Sequence, residues 1–360
     1  MAMEGFFPWQ QDLARQWLLS QKDRFAHAWL IHGLAGIGKR EFALSAAQSL
    51  LCESPNNGLA CGKCLACGWV QHGNHPDFKR IRPEVVALEE GAEEASSESG
   101  EDTVQADSGS SSKRAPSKDI RIDQIRALEP WFNNATHRGG WRVALIYPSE
   151  SLTVISANAL LKVLEEPPPS TVFLLVADAP DRLLPTLLSR CRRLPLPTPS
   201  RDVAQQWLVS QGVKNPDLWL AASGGAPVLA KKLAGSGGDP CPDWLSEFIF
   251  NISKGNMPDI GRMADQISKL PTSDWIDHLQ RMSIDAMMIS SQLPARYFPS
   301  IQSQLSFVQN QKNCTELSDL SVWLDEQQRV SGHPLNPKLF AHTALQKVAT
   351  GLMRLAAVRS

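Results

Sequence analysis

Four of the seven cysteines, Cys52, Cys61, Cys64 and Cys67, fall within sixteen residues in the spacing C-x8-C-x2-C-x2-C. Two-residue gaps let successive thiolates converge on one ion, and four thiolates match the tetrahedral shell of Zn2+. A closed shell of sulfurs leaves no position for water, so the expected metal is structural, not catalytic. Reduced cysteines packed without metal are the alternative. His72 and His75 lie nearby but are not needed for four-coordination. A zinc-dependent DNA-binding module is a weaker variant, because Lys63 is the only basic residue inside the cluster and there are few aromatic platforms for bases.

The second candidate is Gly33-Leu34-Ala35-Gly36-Ile37-Gly38-Lys39, which matches a phosphate-binding loop up to its lysine. Gly33 and Gly38 belong to the glycines that let backbone N–H groups approach phosphate oxygens, and Lys39 adds a positive charge. The next position normally offers a Ser or Thr hydroxyl to Mg2+, and here it is Arg40. Hydrolysis also needs acidic residues at the end of a core strand. The strand over Val143 to Ile146 runs instead into Tyr147-Pro148, and Glu150 has no evident reason to reach the site. Nucleotide held without turnover and a purely structural remnant both stay open for this loop, whereas hydrolysis is disfavoured. The third candidate is Arg190, in Leu187-Leu188-Ser189-Arg190-Cys191. A guanidinium at such a turn can enter a neighbour's nucleotide site, where it offers fixed charge and planar donors to a γ-phosphate. A surface ion pair is the plainer reading.

The elements that must position these residues follow the pattern of a parallel-sheet domain. Trp9, Leu13, Trp17 and Leu18 give Pro8 to Phe25 a helical spacing, and His27 to His32 reads as a buried strand. Strand, glycine loop and the helix from Glu41 to Leu51 open a nucleotide-binding α/β unit. Further strands are expected at 77–81, 143–147 and 171–177. Helices are expected from Ile120 and from Ile155 to Glu166, the latter stopped by Pro167-Pro168-Pro169. Alternating strands and helices imply a parallel sheet covered on both faces. Residues 84–118 are rich in Glu, Ser, Ala and Gly and predict a disordered acidic insertion. Beyond the prolines at 195, 197 and 199 the texture is helical, with a small domain over 199–238 and a longer one over 239–360.

A length of 360 residues suggests two or three domains. Net charge is −1, but Glu84 to Asp119 holds ten acidic and three basic residues, so the rest carries about +6. That balance is compatible with work near DNA and falls short of a dedicated binder's basic stripe. An odd cysteine count without a secretion signal argues against a disulfide framework. No apolar run reaches the ~18 residues needed to span a bilayer, and the N-terminus lacks the order of a signal peptide. A cytoplasmic protein with no membrane association is expected.

Ser156-Ala157-Asn158-Ala159-Leu160-Leu161-Lys162-Val163-Leu164-Glu165-Glu166-Pro167-Pro168, followed by Ser189-Arg190-Cys191 and preceded by the four-cysteine spacing, resembles the AAA+ clamp-loader subunits of bacterial DNA polymerase III. The match covers most of residues 1–200, and Asn336-Pro337-Lys338-Leu339 is similar to the family's closing helical segment. The resemblance implies an AAA+-type α/β parallel sheet over 1–198 with an embedded zinc module at about 52–67. A small helical lid would follow over 199–238, then an all-α collar domain over 239–360. Arg40, Tyr147-Pro148, Ala177-Asp178 and Pro227 depart from the ATP-handling positions of the family's motors, while Arg190 and the cysteines remain. The chain is therefore similar to the family's non-hydrolysing member. The implied partners are gamma/tau motor subunits and a delta subunit in a hetero-pentameric ring, with the sliding clamp and primed DNA reached through the complex. Arg190 would act in trans on a neighbour's ATP, Zn2+ would be structural, and the chain's own ATP binding stays open. An authentic ATPase of the motor type is the rival, distinguished by magnesium-dependent turnover of the isolated chain.

Overall fold

The computed structural model describes residues 5–20, 25–91, 115–309, 315–331 and 336–357. The chain divides into two compact units, Met1–Thr198 and Pro199–Ser360.

The first unit holds helix α1 (Gln11–Ser20), strand β1 (Ala28–His32), α2 (Lys39–Leu51), α3 (Leu65–His72), β2 (Phe78–Ile81) and α4 (Glu84–Glu89). It continues with α5 (Ile122–Arg126), α6 (Glu129–Asn133), β3 (Arg142–Ile146), α7 (Val154–Glu165), β4 (Thr171–Ala177), α8 (Pro185–Arg190) and β5 (Arg192–Pro195). The sheet order is β2-β3-β4-β1-β5, with every pair parallel. All residues of β3 and β4 are buried, as expected for central strands covered on both faces. On one face Leu30, Ile146, Phe173 and Leu175 pack with Leu160 and Leu164 of α7, and α2 packs on β1, β3 and β4. Thr153 caps α7 by accepting the Ser156 N–H at 3.1 Å, and the three prolines after Glu166 prevent its continuation. Because the strands are parallel, the segments after β1, β3, β4 and β5 all emerge at one edge of the sheet, where ligands of such folds bind.

The expected insertion requires correction at its borders. Glu84–Glu89 is helical, and its base is tied off where Ser117 N–H donates to Glu84 Oε2 at 2.7 Å and Val85 N–H to Ser117 O at 3.2 Å. Charge alone did not prevent order there, because these residues return against the sheet edge. The heart of the predicted insertion, 92–114, lies outside the described residues.

The second unit is helical throughout its described residues. Helices α9 (Arg201–Ser210), α10 (Pro216–Ala222) and α11 (Pro227–Gly235) pack on one another, burying Ala204, Leu208, Leu220 and Ala230. Helices α12 (Asp243–Ser253), α13 (Ile260–Ile267), α14 (Thr272–Ser290), α15 (Thr315–Val330) and α16 (Pro337–Ala357) share a core around Phe248, Trp275, Met282 and Leu345, which Ala222 joins. Asp285, fully buried on α14, accepts the N–H groups of Arg296, Tyr297 and Phe298 at 2.7–2.9 Å and so fixes the turn that follows. Among the described residues, no helix is long and apolar enough to cross a membrane.

Candidate functional site

At the exit of β1 the backbone leaves no room for side chains at two glycines. A Cβ on Gly33 would lie 2.7 Å from the Leu196 carbonyl oxygen. Gly38 sits at φ +86°, and its Cβ would meet the Phe7 ring at 2.4 Å. Phe7 belongs to an N-terminal strap that closes over the loop. Gln10 Nε2 donates to the carbonyls of Ile37 and Gly38 at 3.1 and 2.9 Å, and Trp9 Nε1 to that of Ile37 at 3.1 Å. Helix α2 then starts directly at Lys39.

Lys39 is only 4% exposed. Its Nζ donates to the carbonyls of Gly33 and Leu34 at 2.9 and 2.6 Å and is ion-paired with Asp178, the residue after β4. Glu150 does reach this corner, contrary to expectation, although indirectly. Its Oε1 accepts the backbone N–H groups of Asp178 and Ala179, so it shapes the turn that presents Asp178. The short helical turn after the Tyr147-Pro148 step carries it there, which spacing along a strand could not reveal. Nearby, burial and then the charges of Arg193 and Lys39 hold the His32 imidazole below its ordinary pKa, which favours the neutral ring.

Arg40 occupies the place of the metal-binding hydroxyl and donates to Glu41 at 2.7 Å and to Glu90 at 3.3 Å. Tyr147, at the end of β3, donates its hydroxyl to Glu90, lying 2.8 Å from both carboxylate oxygens. Arg82 Nε and Arg80 Nη1 complete the set at 3.0 and 3.7 Å from Glu90. Burial, followed by the Glu90 charge, drives the Tyr147 phenol above its usual pKa, so it stays protonated as the donor. The end of β3 is thus occupied by an arginine–glutamate–tyrosine network. Glu90, Arg80 and Arg82 went unrecognised in the sequence, since Glu90 lies in an acidic run that reads as unstructured.

At the other end of α2, Cys52 caps the helix and Cys64 caps α3. The sulfurs of Cys52, Cys61, Cys64 and Cys67 all lie within 4.8 Å of one another, and Cys52 and Cys64 are 3.9 Å apart. A tetrahedral shell with Zn–S bonds of about 2.3 Å requires sulfurs about 3.8 Å apart, so the four residues fit a metal ion. Backbone N–H groups point at the sulfurs: Cys61 N at 3.2 Å from Cys52 Sγ, Lys63 N at 3.5 Å from Cys61 Sγ and Cys67 N at 3.4 Å from Cys64 Sγ. The Lys63 N–H, then the Ser54 side chain and the Cys64 N–H, lower the Cys61 thiol to about 6, whereas burial raises Cys52 and Cys67. His72 and His75 are engaged elsewhere, with Gly68 O and Asp77 N.

Arg190 ends α8. Its guanidinium donates to Thr186 O at 2.9 Å and pairs with Glu165 at the end of α7, leaving the side chain 34% exposed. Ser189 donates its hydroxyl to the same carbonyl. Cys191 is buried against the sheet, and burial pushes its thiol up to about 12, which makes it a packing residue with little nucleophilic character.

Together these features make a parallel α/β domain with a glycine-rich loop after its first strand and four converging cysteines that could hold a metal ion. The family profile described as DNA polymerase III, delta subunit, matches residues 10–200. The chain belongs to that family. It is 38% identical over 239 residues to DNA polymerase III subunit delta' of Pseudomonas aeruginosa, a match covering 65% of this chain and 63% of that protein. The corresponding Escherichia coli protein is 32% identical over 232 residues, covering 63% and 60%. DNA polymerase III subunit tau of Salmonella typhimurium is 31% identical over 168 residues, 47% of this chain and 21% of that protein. The chain thus spans less than two thirds of the length of the first two relatives.

Proposed function

We propose that this chain is a non-hydrolysing subunit of a bacterial DNA polymerase III clamp loader, of the kind its relatives are named for, and that it completes a neighbour's ATP site with Arg190. The observation that supports this reading is a contrast within one domain: Arg40 and Tyr147 are bonded to Glu90 where a metal hydroxyl and a carboxylate would stand, while Arg190 remains partly exposed at a helix end. Phosphoryl transfer depends on neutralising charge on the transferred group. At the end of β3 Tyr147-Pro148 stands where the acidic pair of a hydrolase would follow, and Tyr147 is held protonated. Arg190 can supply that charge to another subunit. To do so it must leave Glu165 and the Thr186 carbonyl, and an exposed ion pair of this type is worth roughly 0–1 kcal/mol.

Under the same reading Cys52, Cys61, Cys64 and Cys67 hold Zn2+, which ties together a segment without a core of its own. Residues 199–238 act as the lid and 239–360 as the collar. The partners are gamma/tau motor subunits and a delta subunit in a hetero-pentameric ring, and ATP-driven opening of the sliding clamp onto primed DNA follows from the assembly. The test is magnesium-dependent ATP hydrolysis, measured for the purified chain alone and for motor and delta subunits with and without it. No turnover alone and increased turnover in the mixture are expected. Turnover by the chain alone that disappears in Lys39→Ala would overturn the proposal in favour of a working motor.

A further inference from the structure

Two carboxylates from separate segments of the chain sit on the cations of its own phosphate loop. Asp178, delivered by the end of β4, pairs with Lys39, and Glu150 fixes its turn. Glu90, delivered by the end of α4, pairs with Arg40, Arg80 and Arg82 and accepts from Tyr147. Neither acid belongs to the loop, yet each stands at the sheet edge where the loop motif would receive an anion or its metal. Carboxylate oxygens accept from lysine and arginine donors much as phosphate oxygens do. Four cations (Lys39, Arg40, Arg80 and Arg82) face three carboxylates (Glu41, Glu90 and Asp178). With Glu150 at the same corner these charges balance, and neutralising Asp178 and Glu90 leaves two surplus positive charges.

We infer that this loop is self-liganded: Asp178 and Glu90 are built-in competitors of phosphate oxygens, and beneath them lies a latent site for a polyphosphate anion that needs no metal. The inference rests on the reading of a non-hydrolysing chain and adds the device that keeps the loop closed. The two carboxylates differ in access. Asp178 is 56% exposed and Glu90 12% exposed at the side chain, so Asp178 is the outer latch and Glu90 the inner one.

The test is calorimetric titration of the full zinc-loaded chain with inorganic tripolyphosphate in magnesium-free buffer. The proteins compared are wild type, Asp178→Asn, Glu90→Gln and the double variant. Removing a charged competitor from a site is worth roughly a factor of ten or more in affinity. Each single variant should therefore bind more tightly than wild type and the double variant most tightly of all, with the gain abolished by adding Lys39→Ala. Circular dichroism and metal content report on folding, and if the double variant does not fold the single variants decide. Folded variants that bind no better than wild type would overturn the inference, as would a gain that survives loss of Lys39. Failure of the underlying reading would appear instead as ATP hydrolysis by the wild-type chain, a signal independent of these isotherms.

Discussion

Helix α2 carries a motif at each end, and the two ends differ in what has been kept. At its C-terminus four cysteine sulfurs converge within 4.8 Å of one another, with backbone N–H groups already aimed at them. At its N-terminus the glycines and lysine of a phosphate loop persist, but their donors are turned to the chain's own carbonyls and carboxylates. The first end is complete as a binding set. The second is satisfied without a ligand. A motif's survival in the sequence is therefore a weaker sign of use than the state of its polar atoms, because buried donors must find partners either way. Arg190 offers a third condition: it is paired, but by an exposed ion pair that is easily exchanged.

The sharpest way to break this comparison is to attack the cysteine end. Stripping the metal with a chelator, or replacing Cys64 by Ser, should cost several kcal/mol, since apparent binding energies of structural zinc reach about 10 kcal/mol at neutral pH. Metal analysis before and after, with thermal unfolding, reads the effect. An unchanged transition would show that no metal at this end contributes to stability. At the loop end, Gly38→Ala should cost about 1–3 kcal/mol, because the new Cβ meets the Phe7 ring at 2.4 Å in a left-handed backbone. Denaturant unfolding would check it, and a neutral outcome would mean that the strap over the loop yields freely. The smallest effect belongs to Glu165→Gln, which removes the charge paired with Arg190 and leaves its bond to the Thr186 carbonyl. Stability should change by less than about 1 kcal/mol, as for other exposed pairs, and a larger loss would show that the arginine is anchored more firmly than its exposure implies.

The sequence made the centre of the first unit readable and its margins opaque. Strand β4 is seven apolar or β-branched residues, all buried, bounded by a turn, and α7 has both a threonine cap and a proline stop. Such elements are specified locally. Strand β5 was missed because Arg192-Arg193-Leu194-Pro195 is short, charged and at the sheet edge, with only Leu194 buried. Helix α3 was hidden inside the cysteine spacing, and α4 inside an acidic run. The same holds for the candidate site. The cysteines, Lys39, Arg40, Tyr147 and Arg190 stand in recognisable spacing, so the damage to the loop could be read directly. What fills the damage could not, because Glu90 and Asp178 reach it only through the crossing of parallel strands and the return of the chain after β2.

The role of Arg190 in trans is read by comparing ATP hydrolysis by motor subunits reconstituted with delta, sliding clamp and primed DNA in the presence of the wild-type chain or Arg190→Ala. The variant should still assemble, as judged by gel filtration, and turnover should fall by a hundredfold or more at the site it completes, near the range of about 10³–10⁵ known for such arginines. Unchanged hydrolysis in an intact complex would contradict that role, leaving the chain a scaffold and Arg190 a surface residue held by Glu165.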